Sequence, residues 1–244
     1  MPQFCLLAVF AHPDDETVVG PMLSKYAHEG HRVHLLTLTA GEKGVREHAG
    51  IPAGGRLREV RTKELACAVS KLGLTGHTLL NFPDQAFAMG MGPVWNEAAA
   101  KVRETIDSLR ADVMVTWGPE GGTGHPDHRG VHSVVVQAFQ QRSLLKFKPR
   151  KLYYAVFPDD GPPEEEWLRG TRVSREFITT RIDCSEYLAA AAQAVECHWS
   201  QFSPETMQRV RRTSGILGRD LPLRLAYSSV QGTGRPETGV FEGL

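Results

Sequence analysis

Eight uninterrupted apolar residues, Phe4 to Ala11, run straight into His12-Pro13-Asp14-Asp15. Without polar alternation, such a run predicts a strand buried on both faces. A strand of that kind needs cover on each side, which constrains the fold from its first element. Glu16 to Glu29 then reads as a helix, with acids where the helix dipole favours them and Gly30 past its end. Arg32 to Thr39 is a second strand, Leu57 to Leu72 a helix stopped by Gly73, and Thr78 to Phe82 a third strand. Val94 to Leu109, Asp112 to Trp117 and Asp127 to Arg142 continue as helix, strand and helix. Leu152 to Phe157 and Phe177 to Ile182 add strands on either side of an acidic, proline-rich stretch, Asp159 to Trp167. Ser185 to Arg212 reads as two helices around Phe202-Ser203-Pro204, with caps at Asp183 to Glu186 and at Ser203. Gly41 to Gly55 and the tail from Gly232 read as irregular. Alternation of this kind predicts an α/β fold with a mainly parallel sheet. No break in composition marks a boundary, so one domain, 1–244, is expected.

Composition removes several classes of function. The 28 Lys and Arg balance the 28 Asp and Glu, so general electrostatics gives no reason to bind nucleic acid or an anionic membrane. No apolar run approaches the ~20 residues that cross a bilayer. The first residues lack the basic region of a signal peptide, and a soluble, cytoplasmic protein is expected. The 4 Cys are scattered with no CxxC, which suggests neither a zinc ribbon nor a disulfide framework. Buried small apolar side chains are the simplest reading for them.

Ligands of open parallel sheets bind beyond the carboxyl ends of the strands. Two loops in that position are dense in metal-ligand chemistry: His12-Pro13-Asp14-Asp15-Glu16 after the first strand, and His125-Pro126-Asp127-His128 after Asp112 to Trp117. Both are expected to open on the same edge. His12, Asp15 and His128 supply a two-histidine, one-carboxylate set suited to Zn2+ with one position open to water. Asp14 is then available as a general base, and His125 as a donor to developing oxyanion charge. Each motif alone equally fits a turn leading into a helix. Their joint placement is what favours chemistry at a carbonyl centre.

The two motifs resemble the signatures of the LmbE-like (PIG-L type) zinc N-deacetylases. The likeness extends through Thr39-Ala40-Gly41-Glu42-Lys43-Gly44, through Arg61-Thr62-Lys63-Glu64-Leu65 running into Leu72-Gly73-Leu74, and to His198-Trp199-Ser200-Gln201. The resemblance implies a Rossmann-like three-layer sandwich and zinc-dependent removal of acetyl from an N-acetylated amino sugar. It matches His12, Asp15 and His128 to zinc ligands, Asp14 to the base, and His125 to the residue that stabilises the tetrahedral intermediate. Arg61 and Asp84 match positions that contact substrate. Some relatives carry a Tyr just before the second motif, where this chain has Gly122-Thr123-Gly124.

Within that family the loop from Gly41 to Arg61 looks most like deacetylases of N-acetylglucosaminyl-malate in bacillithiol biosynthesis, whose carboxylates would suit Arg61. The alternatives are a mycothiol precursor, a chitooligosaccharide or an antibiotic. Outside the family stand a metal-dependent phosphoesterase, which wants two metals, and a non-catalytic sugar-binding module. The implied partner is a small acetylated amino sugar; homo-oligomerisation is left open, and Fe2+ competes with Zn2+ for the same donors. His198 reads as a satisfied structural histidine, and His132 as a partner of the site or of the core.

Overall fold

The computed structural model describes residues 2–88, 90, 92–159, 171–213, 219–230 and 236–244. Two compact units interleave along the chain. The first comprises Met1–Val9, Gln85–Ile182 and Pro222–Leu244, the second Phe10–Asp84 and Asp183–Leu221.

In the first unit, β1 (Cys5–Phe10), β4 (Val113–Trp117), β5 (Lys151–Ala155), β7 (Asp220–Ser228) and β6 (Thr180–Asp183) are neighbours in that order. β1 runs parallel to β4 with Leu6 opposite Val113, and β4 parallel to β5 with Val113 opposite Lys151. β7 lies antiparallel to β5. Every residue of β1 and β4 is buried, which is why neither shows polar alternation. The helices are α3 (Pro93–Leu109) and α4 (Pro126–Gln140), each opened by a proline that needs no N–H partner there. Lys151, fully buried, pairs with Glu237 at 2.6 Å and ties the last residues of the chain to β5.

The second unit holds β2 (Arg32–Thr39) and β3 (Gly76–Phe82), paired in parallel, with α1 (Gly20–His28), α2 (Gly55–Leu72), α5 (Leu188–Cys197) and α6 (Pro204–Thr213). Ala68, Leu72, Ala191, Ala194 and Cys197 form one buried cluster, small enough in their side chains for α2 and α5 to approach closely. The chain thus has the expected class, a Rossmann-like three-layer α/β sandwich with a mainly parallel sheet. Among the described residues no helix is long and apolar enough to cross a membrane.

Several local expectations are corrected. Cys67 and Cys197 are disulfide-bonded, with Cα atoms 5.7 Å apart across a separation of 130 residues, whereas Cys5 and Cys184 are the buried free thiols. The helix expected from Glu16 is a 3-10 turn, Asp15–Val18, followed by α1, because Pro21 fits only a helix's first turn. Around Phe177 the chain forms a 3-10 turn, Arg175–Phe177, and the strand begins at Thr180. β7 escaped the sequence reading because Pro222 interrupts its pattern, and antiparallel pairing to β5 is what makes it a strand. Ser203 does cap α6, accepting the Thr206 N–H at 3.2 Å, while Asp183 instead holds Ser185 in a 3-10 turn. The acidic stretch from residue 160 onward, and 231–235 of the tail, lie outside the described residues.

Thiol titration of the denatured, unreduced protein is expected to find two reactive thiols, those of Cys5 and Cys184. Reduction is expected to lower stability by about 2–4 kcal/mol, measured by denaturant unfolding. Four titratable thiols would show the bond to be absent.

Candidate active site

The loop after β1 is closed by its own carboxylate. Asp15 Oδ2 accepts the N–H groups of Ala11 and His12, each at 3.0 Å. That brings the same oxygen to 3.7 Å from His12 Nδ1, while His12 Nε2 lies 3.4 Å from Asp84 Oδ1 on the loop after β3. The imidazole therefore stands between two carboxylates. With its proton on Nε2 facing Asp84, the lone pair at Nδ1 is directed to the side of Asp15, the arrangement a metal-binding histidine takes. Among the described residues, each side-chain grouping with the spacing of a metal site includes His12. Asp84 also accepts the Lys43 N–H at 2.8 Å. Burial pushes its carboxyl upward, but the His12 ring, the Lys43 N–H and the Arg61 charge outweigh burial and hold it well below the usual range.

Asp14 has left-handed backbone, φ 106°, which a residue other than glycine adopts only when its surroundings enforce it. Its N–H goes to Glu16 Oε2 at 3.0 Å, and its carbonyl accepts both the N–H and the hydroxyl of Thr17. Its carboxylate meets Arg61 Nη2 at 3.1 Å. Arg61, on α2, is buried and also donates to the carbonyls of Gly41, at 2.8 Å, and Pro13. A Cβ at Gly41, itself at φ +63°, would sit 2.0 Å from Arg61 Nη1, so only glycine lets the guanidinium in. Burial raises the Asp14 carboxyl above the usual range, and the opposing charge of Arg61 does not cancel it.

Behind Asp14 lies a buried network. His198 Nε2 donates to Glu16 Oε1 at 2.5 Å, and both side chains are fully buried. Glu64 of α2 accepts the N–H and the hydroxyl of Ser200, each at 2.8 Å, and Gln201 donates to the Gly44 carbonyl. Burial pushes His198 down, but Glu16, Asp14 and Glu64 outweigh it and raise the imidazole above its ordinary value.

In the other unit the start of α4 carries the second motif. His125 is the N-cap, and its Nδ1 accepts the Asp127 N–H at 3.2 Å, which places the proton of the neutral ring on Nε2. His128 Nδ1 lies 3.0 Å from the Gly121 carbonyl and 3.2 Å from Thr123 Oγ1. A carbonyl can only accept, so Nδ1 carries the proton and Nε2 the lone pair. The His128 ring stacks on Trp117, centroids 4.7 Å apart. A Cβ at Gly122 would lie 2.4 Å from the Trp117 ring, which fixes glycine in the position before Thr123. Thr123 thus brings a hydroxyl to this loop, though no phenol. Asp127 is wholly engaged in accepting the N–H groups of Gln85 and Phe87, and His132 Nδ1 binds the Trp117 carbonyl.

His12, Asp14, Asp15, Arg61 and Asp84 are therefore gathered in one unit, and His125 and His128 in the other. Arg61, expected to meet substrate, contacts Asp14, and Asp84, expected likewise, contacts His12. Glu16, His198, Glu64 and Ser200 carry contacts that sequence reasoning left unassigned. Their letters lie in the quoted motifs, yet pairing over 182 residues has no local signal.

A histidine with a raised folded pKa contributes stability in full below its ordinary 6.5 and loses it as pH climbs through the raised value. Thermal denaturation in chelator is therefore expected to show a melting temperature falling above pH 6.5 more steeply than in His198→Gln. Equal slopes would mean that His198 is not held charged.

A family model described as PIG-L: GlcNAc-PI de-N-acetylase matches residues 7–139. The 1D-myo-inositol 2-acetamido-2-deoxy-alpha-D-glucopyranoside deacetylase of Streptomyces avermitilis is 32% identical, the match covering 100% of this chain and 98% of that one. Among solved structures, an N,N'-diacetylchitobiose deacetylase from Pyrococcus horikoshii superposes with TM-score 0.70 at 17% identity, over 91% of this chain and 84% of its own. A 4-carboxy-2-hydroxymuconate hydratase from Pseudomonas putida does so with TM-score 0.69 at 16% identity, over 94% and 99%. That a hydratase shares the architecture means the fold alone does not set the reaction. The expected likeness to malate-conjugate deacetylases is corrected: the full-length relative is named for an inositol conjugate.

Proposed function

The chain belongs to the PIG-L family and is a metal-dependent N-deacetylase, and we propose that it removes the acetyl group from an N-acetylglucosaminyl-inositol conjugate, the mycothiol-precursor alternative of the sequence reading. The observation that carries the chemistry is Asp14, half-buried and pinned by Arg61 at 3.1 Å, one residue from a histidine–carboxylate pair with the spacing of metal donors. The substrate follows from the full-length relative and from Arg61 itself. Arg61, which the malate reading needed for the substrate's carboxylates, is buried and already holds the Asp14 carboxylate and two carbonyls.

In this reading His12 Nδ1, Asp15 and His128 Nε2 hold one Zn2+. The donor types suit the ion, and the Asp84 carboxylate and the Gly121 carbonyl each orient one of the two imidazoles. Zinc, when bound, polarises a carbonyl and lowers the pKa of a water toward about 7. Asp14 takes the proton of the attacking water as the C–O bond forms. Arg61 keeps the Asp14 carboxylate on one bearing during that transfer. His125 Nε2–H donates to the oxyanion of the tetrahedral intermediate, a contribution worth about 10²–10³ in kcat. Asp14 then returns its proton to the amine as the C–N bond breaks, giving acetate and a free amine. The working unit is the single domain 1–244, acting in the cytoplasm on a small molecule.

Acetate release tests the reading. The inositol conjugate is expected to be cleaved at least about tenfold more efficiently than the malate conjugate, the discrimination a few pocket contacts supply. Chelator is expected to abolish release, and Asp14→Ala to keep its zinc while losing about 10²–10⁴ in kcat. Preference for the malate conjugate would overturn the substrate, and chelator-insensitive release would overturn the metal.

A further inference from the structure

Two fully buried ionisable side chains have no place in the reaction as described. Glu16 and His198, 182 residues apart, meet at 2.5 Å with no exposed surface. Burying an ion pair does not by itself favour folding, because apolar side chains of similar size commonly do as well or better. A pair retained at full burial therefore invites a look at what else it touches. Among the described residues, the hydrogen bonds of the Glu16 carboxylate go to His198 on one oxygen and to the Asp14 N–H, at 3.0 Å, on the other. Asp14 is where the backbone turns left-handed, φ 106° and ψ −24°. Its carbonyl is held by Thr17, through N–H at 3.1 Å and hydroxyl at 2.6 Å. Its carboxylate is held by Arg61. Loss of the acceptor at its N–H would remove one of the three holds on that left-handed conformation at an aspartate.

We propose that Glu16 and His198 are a positioning pair for Asp14: the imidazole of His198 fixes one oxygen of Glu16 so that the other holds the Asp14 N–H, and with it the backbone turn that aims the carboxylate. The pair touches neither substrate nor metal and acts through Asp14 alone. It rests on the reading of Asp14 as the base. Geometry of this kind is felt in turnover more than in binding, since a base displaced by about 1 Å costs on the order of 10²-fold. The same pair gives a role to the late His198-Trp199-Ser200-Gln201 element, whose Ser200 is anchored on Glu64 so that His198 is presented to Glu16.

The test is steady-state acetate release from the N-acetylglucosaminyl-inositol conjugate by the zinc-loaded full chain, with metal content measured on each variant. His198→Leu removes the donor at similar volume and is expected to lower kcat on the order of 10²-fold while KM moves by less than about threefold and zinc stays at the wild-type stoichiometry. His198→Gln keeps an N–H donor and is expected to recover to within about tenfold of wild type. Should His198→Leu not fold, Glu16→Gln takes its place, with the same split between kcat and KM expected. Wild-type turnover in a folded, zinc-loaded His198→Leu or Glu16→Gln overturns the proposal. So does a loss in which Gln is no better than Leu and zinc falls with kcat, because that marks a structural role. Asp14→Ala run alongside separates the two levels. If it stays active, the base assignment itself fails; if it is inactive while His198→Leu turns over normally, only the positioning pair fails.

Discussion

A buried guanidinium organises everything around it, because it cannot be left without partners. Arg61 is taken out of water, and an unpaired charge there would cost several kcal/mol. Its two terminal nitrogens are answered by the Asp14 carboxylate, the Pro13 carbonyl and the Gly41 carbonyl, which come from the loop after β1 and the loop after β2. One side chain on α2 thereby holds two loops and the Asp14 carboxylate. The same contact holds the Asp14 carboxylate on a set bearing. Gly41 is the price of that arrangement, since any Cβ there would occupy the guanidinium's place.

Around this centre the second unit is bound to itself by contacts that are far apart in sequence. α2 contributes Arg61 to the loops, Glu64 to Ser200 and Cys67 to Cys197. The residues just after α5 return His198 to Glu16 and Gln201 to Gly44. The polar links tie loops and a 3-10 turn to α2 and to the residues after α5, and the disulfide joins α2 to the last residue of α5. Loops that carry functional side chains need such support, since their backbone is not held by a hydrogen-bond ladder. In the first unit the support is different: His128 is fixed by stacking on Trp117 and by a backbone carbonyl, and His125 by capping the helix it precedes.

These contacts change the meaning of two residues. Arg61 and Asp84 look like substrate-binding groups when only their types and positions are known. In three dimensions Arg61 also meets the Asp14 carboxylate, and Asp84 also faces His12 Nε2.

Much was legible in the chain itself. Uninterrupted apolar runs such as Phe4 to Ala11 and the DVMVTW segment dictate strands buried on both faces, and their alternation with helical periods dictates the α/β class. Those signals are local, so sequence carries them in full. The two histidine motifs are local as well, and the N-cap at His125 and the proline at Pro126 can be read from neighbouring letters. What only the tertiary structure decided are contacts whose strength depends on exclusion of water and on approach over long separations. Cys67 with Cys197, His198 with Glu16 and Lys151 with Glu237 are of this kind. β7 belongs with them, for a segment carrying Pro222 becomes a strand only when β5 offers it an edge. Residue types announce what chemistry is available; burial and distance determine which partner each group is given.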